Sequence, residues 1–406
     1  MKTDLGKSIH DYLAQERSAV RTPANLHARI MQGLGTRIAP QRPARGRQLA
    51  MTLAIVIFVG AVGLGFSKLR EVSQRGVTNT RPTSSATSVP TTPVPLIPHP
   101  PARFGAAMAF DRAHGRSIMF GGQGADGHYL GDTWSWDGSG WTELHPSSSP
   151  SPRVSTRLSY DEARGVILLY GGTGQAGPSS IGPLSDLWSW NGVTWTELRP
   201  RHIPPQRAGS SFAYDPQVRA AVLFGGDAGE RAPALKNDMW LWNGSDWTEV
   251  PLTKSPSPRA DASMVFDLSS NALLLFGGTS GVPLNDTWTW DGRIWTQLHP
   301  ARSPVARHSA IIAYDAAASS VILFGGEGGD ANKGPVAALS DTWAWNGVMW
   351  VEKRGGGPSA RWMASASYDE VRHVVVLFGG PAGNKTGLPL ADTWARDDNG
   401  WRQLGA

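Results

Sequence analysis

Hydrophobic residues follow four different patterns along this chain. From Leu49 to Phe66 the sequence LAMTLAIVIFVGAVGLGF runs eighteen residues without a charge. At the helical rise per residue it spans the hydrocarbon core of a bilayer, which predicts a transmembrane helix over 49–67. Before it, Ile9, Tyr12 and Leu13, then Leu26, Ile30 and Met31, fall at helical spacing on either side of Pro23. Residues 1–48 therefore read as a tail with short amphipathic helices. Residues 68–102 are rich in Ser, Thr and Pro with few large apolar side chains; they cannot bury a core and read as a flexible stalk. Beyond residue 102 the pattern becomes periodic, with short apolar runs such as VILFGG ending in Gly-Gly pairs.

These pairs begin at Gly121, Gly171, Gly225, Gly277, Gly325 and Gly379. Eighteen residues before each stands an Arg (Arg103, Arg153, Arg207, Arg259, Arg307, Arg361). Ten before each is an Asp that follows Tyr or Phe: Asp111, Asp161, Asp215, Asp267, Asp315 and Asp369. After each pair comes D-x-W, placing Trp134, Trp188, Trp240, Trp288, Trp343 and Trp394, with a second Trp seven residues on. A period near fifty residues marks a repeat architecture. Each repeat reads as four strands: A from the Arg to the aromatic-Asp pair, B the apolar run, C the D-x-W segment, and D the W-T-E-L segment. The C-to-D turns are mostly Asn-Gly or Asp-Gly, suited to tight hairpins. The fold class is all-β.

The Gly-Gly pairs and spaced Trp residues over 103–404 resemble the kelch-repeat β-propeller family. The resemblance implies a six-bladed kelch-type propeller over 103–406, closing without a strand shared between its two ends. A residue type recurring at one place in every repeat reads as architecture. The six Arg and six D-x-W Asp residues read as structural ion pairs, the Trp residues as packing between blades, and the aromatic-Asp carboxylates as turn formers.

Discrimination must then come from what varies. Arg to Gly-Gly is always 18 residues and Trp to Trp always 7, while Gly-Gly to the first Trp ranges from 11 to 18. Length variation thus concentrates in the B-to-C connection, and variable loops on a rigid scaffold are where recognition is placed. The ligand-binding candidates there are Gln123, His128, Tyr129, Glu327, Asp330, Lys333, Asn384 and Lys385. The residue after the strand-A Arg is aromatic in neighbouring repeats 5, 6 and 1, as His308, Trp362 and Phe104. These rings are expected at the mouth of the central channel, where they would stack on a sugar, grip a peptide side chain, or plug the seam.

The formal charge of +5 is unevenly spread: +6 over residues 1–48, +3 over 49–102 and −4 beyond. An acidic body is a poor match for a phosphate backbone, so no nucleic-acid partner is expected. The chain has no Cys, which excludes disulfide and thiol chemistry and the Cys–Tyr cofactor of galactose oxidases. Its ten His residues show no H-x-H or H-x3-H spacing, so neither a metal site nor a cofactor is expected. Propeller sialidases carry S-x-D-x-G-x-T-W turns, and SWDGSGW at 135–141 departs from that spacing. No catalytic residues are assigned.

The chain reads as a membrane-anchored binding module for a protein or glycan, with the N-terminus cytoplasmic and the propeller extracytoplasmic. Two alternatives stand beside this. One is a carbohydrate-active enzyme of sugar epimerase or lyase type. The other is a transmembrane sensor whose tail, similar to the N-terminal segments of bacterial membrane-bound anti-sigma-type regulators, docks a cytoplasmic partner.

Overall fold

The computed structural model describes residues 99–177, 180–229, 234–329, 336–383 and 387–405. The tail, the predicted span and the stalk up to residue 98 lie outside them. Among the described residues no helix is long and apolar enough to cross a membrane.

The described residues form an all-β structure of antiparallel sheets. Each repeat contributes a meander of consecutive strands, shown by repeat 4: Ser263–Asp267, Ala272–Phe276, Thr287–Trp290 and Trp295–Leu298 in that order. The A strands are Ala107–Asp111, Arg157–Asp161, Ser211–Asp215, Ser263–Asp267, Ile311–Asp315 and Ser365–Asp369. Each contacts the A strand of the next repeat, and the last contacts the first. They line a central lumen with the sheets radiating outward, which is a propeller arrangement.

The B strands explain the apolar runs. VILLY, AAVLF, ALLLF and VVVLF are buried on both faces because each lies between two neighbouring sheets. The strand-D Trp fills the gap to the preceding repeat. Trp141, Trp195, Trp350 and Trp401 donate through Nε1 to Thr393, Thr133, Thr287 and Thr342, the residue between Asp and Trp of the preceding D-x-W. In repeats 2 and 3 that residue is Leu187 or Met239, and the facing Trp247 and Trp295 indoles are buried without a partner among the described residues.

The Gly-Gly pair is demanded by close approach between repeats. A Cβ on its first glycine would sit 2.5–2.8 Å from the carbonyl oxygen of the next repeat's Arg. In repeats 2 to 6 the second glycine donates its N–H to that same oxygen at 2.8–3.0 Å. Repeat 6 makes this contact to repeat 1, Gly380 N–H to Arg103 O at 2.9 Å. The seam is further closed by Ser365 Oγ donating to Ala106 O and Ser367 Oγ to Ser117 Oγ, both at 2.9 Å. Strands of repeats 1 and 6 stay in their own sheets.

One expectation is corrected. Strand A does not run unbroken from the Arg to the aromatic-Asp pair. The Arg and its successor form a separate short pairing with the segment after Gly-Gly, as in Arg103–Phe104 with Gly124 and Gln123, and the inner strand begins four residues after the Arg. The break lies two residues past each Arg, at Gly105, Ser155, Gly209, Asp261, Ser309 and Met363, all at positive φ between 48° and 63°.

Candidate functional site

The framework around the lumen is set by six spokes. Each repeated Arg is at most 1% exposed and makes a two-pronged ion pair with the D-x-W Asp of its own repeat: Arg103–Asp132, Arg153–Asp186, Arg207–Asp238, Arg259–Asp286, Arg307–Asp341 and Arg361–Asp392, at 2.6–2.8 Å. The Arg also donates to the first glycine's carbonyl, as Arg259 Nη1 does to Gly277 O at 2.8 Å. The same Asp accepts from the following Trp Nε1, as Asp286 does from Trp288 at 2.7 Å. Burial alone would raise these carboxyls; the hydrogen bonds and charge of Arg outweigh it and hold all six below the usual aspartate range. A guanidinium engaged in this way is not a free cation lining a channel.

The positive-φ residues carry a second feature. Their backbones hydrogen-bond head to tail around the lumen: Gly105 N–H to Met363 O, Met363 to Ser309, Ser309 to Asp261, Asp261 to Gly209, Gly209 to Ser155 and Ser155 back to Gly105, at 2.6–3.2 Å. This closed ring of six peptide groups narrows the lumen at the end carrying the B-to-C loops.

The B-to-C surface outside the ring is the vestibule of the lumen. Phe104, His308 and Trp362 immediately precede ring members Gly105, Ser309 and Met363, which are bonded in sequence. The ring therefore brings repeats 5, 6 and 1 side by side, and all three side chains are half-buried. His308 pairs across strands with Glu327, with Nε2 to Oε2 at 3.8 Å. His308 Nδ1 lies 3.0 Å from Ser309 Oγ. Phe104 pairs with Gln123, which pairs in turn with Tyr129, so the three form one row across the sheet of repeat 1. Gln123 Nε2 donates to Gly127 O at 2.7 Å, steadying the loop. His128 sits exposed at its tip, 3.1 Å from Asp126. Asp330, Lys333, Asn384 and Lys385 lie outside the described residues.

At the opposite end the aromatic of each aromatic-Asp pair, including Phe110, Tyr160, Tyr214 and Tyr368, lines the lumen. Tyr368 Oη accepts from Ala317 N–H of the preceding repeat at 3.0 Å. Burial raises the phenols of Tyr160, Tyr214 and Tyr368, so they remain protonated. Arg112 bridges Glu162 of repeat 2 and Glu370 of repeat 6. No group of three or more His, Asp or Glu among the described residues could hold a metal ion.

Two residues escaped the sequence reading. Arg157, at the start of its inner strand, reaches Asp261 of repeat 4, with Nη2 to Oδ1 at 3.3 Å. Setting the repeats under one another isolates Arg157, since the equivalent positions hold Ala107, Ser211, Ser263, Ile311 and Ser365. The same alignment isolates Asp261, the one charged residue at a position that otherwise holds Gly105, Ser155, Gly209, Ser309 and Met363.

Comparison with known proteins agrees with this geometry. The KLHDC2/KLHL20/DRC7 Kelch-repeats domain matches residues 139–301. Among solved structures the chain is similar to the structure of YjhT, at 17% identity and a TM-score of 0.58, over 76% of this chain and 99% of that one. That likeness shows the fold. No curated protein matches the chain in sequence.

Proposed function

We propose that the chain is a single-pass membrane protein whose stalk holds a six-bladed kelch-type propeller outside the cytoplasm, as a non-catalytic module that binds a protein or glycan at its B-to-C face. The observation that carries this reading is the vestibule. Phe104, Trp362 and the His308–Glu327 pair stand side by side on the face where loop lengths vary. Half-buried rings beside an acid and an imidazole offer stacking and hydrogen bonding together, as recognition sites do. Residues Gln123, His128 and Tyr129 extend this surface, and Asp330, Lys333, Asn384 and Lys385 are further contact candidates.

Glycan and peptide arrays test the reading, comparing the parent with a protein carrying His308→Ala, Glu327→Ala and Trp362→Ala. The parent should capture a defined ligand class and the folded triple variant should not. Retained capture by the variant refutes the assignment. The His308–Glu327 pair also favours one second reading, a sugar epimerase or lyase, which predicts glycan turnover that is lost in Glu327→Gln. A sensor function would rest on residues 1–48 and predicts a specific cytoplasmic partner in a pull-down with that tail.

A further inference from the structure

The A-to-B end of the lumen, opposite the vestibule, holds a cavity of about 230 Å³. Its wall is tiered. Phe110, Tyr160, Tyr214, Phe266, Tyr314 and Tyr368, one from each repeat, form an aromatic belt. The residue after the Asp of each aromatic-Asp pair forms the rim: Arg112, Glu162, Pro216, Leu268, Ala316 and Glu370 all line the cavity. The belt is nearly uniform, whereas the rim is split. Neighbouring repeats 6, 1 and 2 supply Glu370, Arg112 and Glu162, a charged arc; repeats 3, 4 and 5 supply Pro216, Leu268 and Ala316, an apolar arc. Leu268 is 51% exposed. Architecture asks the same of every repeat, so a two-sided rim on a uniform belt points to recognition.

The charged arc is unbalanced. Arg112 donates through Nη1 to one oxygen of Glu162 and through Nε to one oxygen of Glu370. Each carboxylate therefore keeps a second oxygen without a partner among the described residues, and all three side chains are 36–38% exposed. Among the described residues no other charged side chain lines the cavity, so two carboxylates against one guanidinium leave it a net charge of −1. The belt feels this field. Beyond burial, Asp111 and Glu162 push the Tyr160 phenol up, and Asp315 and Glu370 push up that of Tyr368. The belt also accommodates a cation, since the Arg112 guanidinium carbon stands over the Tyr160 ring, 5.8 Å from its centre.

We propose that this cavity is a binding site for a small apolar primary amine. The ammonium group sits at the charged arc, donating to the free oxygens of Glu162 and Glu370, and the hydrocarbon body lies against the aromatic belt and Leu268. An ammonium carries three donors and no acceptor, which matches unpartnered carboxylate oxygens. A carboxylate in the same place would meet two acids and one base, and a neutral end group would forgo the charge. Concave apolar walls with a few polar groups at one side both hold a small ligand and orient it. The site is on the other face from the vestibule and stands or falls independently of it.

Calorimetric titration of the full-length protein with 2-phenylethylamine, 2-phenylethanol and phenylacetate tests the proposal, because the three share one body and differ in the charge of the end group. Saturable binding of the amine is expected, with the alcohol weaker by roughly fivefold, as partly exposed charges allow, and phenylacetate weaker still. The advantage of the amine should shrink at high salt. A variant carrying Glu162→Gln and Glu370→Gln leaves Arg112 as the charge of the rim; once circular dichroism shows it folded, it should bind phenylacetate more tightly than the amine. Ala316→Trp, at an exposed position outside the ion pairs, should crowd the rim and weaken amine binding. The protein carrying His308→Ala, Glu327→Ala and Trp362→Ala should bind the amine as its parent does. The proposal is overturned if the amine does not bind saturably, if the alcohol or phenylacetate binds as well, if the Gln variant or Ala316→Trp binds the amine undiminished, or if the vestibule variant loses it.

Discussion

Asp215 offers a test of how the A-to-B turns are held. The Asp ending each inner strand caps the turn with one oxygen, as Asp215 Oδ1 does for Gln217 N–H at 2.9 Å. What meets the other oxygen differs among repeats. His114, Arg164, Ser270 and Arg372 meet Asp111, Asp161, Asp267 and Asp369 at 2.7–2.8 Å, and Arg396 reaches Asp315 at 3.5 Å. In repeat 3 the donor's place is taken by Val218, and Asp215 Oδ2 is buried without a partner among the described residues. Burial raises this carboxyl above the ordinary aspartate range, against the pull of the Gln217 and Val218 N–H groups. A folded-state value above the unfolded one means the fold gains from this group at low pH. That gain is lost as pH rises from the unfolded value through the folded one. Val218→Ser copies repeat 4, whose turn has the same shape: Arg219 and Asn271, the next residues, both have φ of 52°. A hydrogen bond to a charged group contributes about 1.5–3 kcal/mol. Losing the half-buried Val218 side chain, which lies against Gly292, costs about 1 kcal/mol. The net expectation is a gain of about 1 kcal/mol at pH 7, read as a rise of about 2 °C in Tm. The gain should shrink at pH 4, where the carboxyl is more protonated. A variant less stable than its parent at pH 7, or one with the same gain at both pH values, would refute this account.

Four further outcomes are expected. Asp286→Asn leaves the buried Arg259 charge without its counter-ion and should lower stability by about 3 kcal/mol in denaturant titration. Gly277→Ala places a Cβ 2.5 Å from Arg307 O at a φ of 64°, and should cost at least about 3 kcal/mol or prevent folding, as thermal melts will show. Thr287→Val preserves shape but removes the acceptor of Trp350 Nε1; a loss of about 1–2 kcal/mol is expected, with a change in tryptophan fluorescence. The six spoke carboxyls, held below the unfolded aspartate value, contribute stability that is complete above that value and lost as pH falls through their folded values. Near-UV circular dichroism should therefore collapse on acidification through and below the ordinary aspartate range.

The architecture was legible because its causes are local and recur at fixed spacing. Arg259, Gly277, Asp286 and Trp288 bond within one repeat and Gly278 bonds to the Arg307 carbonyl of the next, so each repeat displays the whole set. The break after each Arg was not legible. Its position holds Gly105, Ser155, Gly209, Asp261, Ser309 and Met363, and only the two glycines advertise positive φ. The conformation is imposed by the hydrogen-bonded ring, a property of the closed circle that no single repeat encodes. The vestibule was half legible: adjacency of Phe104, His308 and Trp362 follows from repeat order, but the His308–Glu327 pairing needed the register of the short strand. The Arg157–Asp261 contact joins residues 104 positions apart and obeys no spacing rule.

The ring also changes what the two ends of the lumen can do. A propeller channel open at both ends would place vestibule residues and lumen residues in one ligand site. Here six backbone donors and six acceptors are consumed in bonding to each other, so the ring itself offers no free peptide N–H to a ligand at either end. Phe104, Trp362 and His308 precede the ring, while Arg157 follows it by two residues in its repeat. Asp261 is the exception, since its backbone belongs to the ring and its carboxylate contacts Arg157.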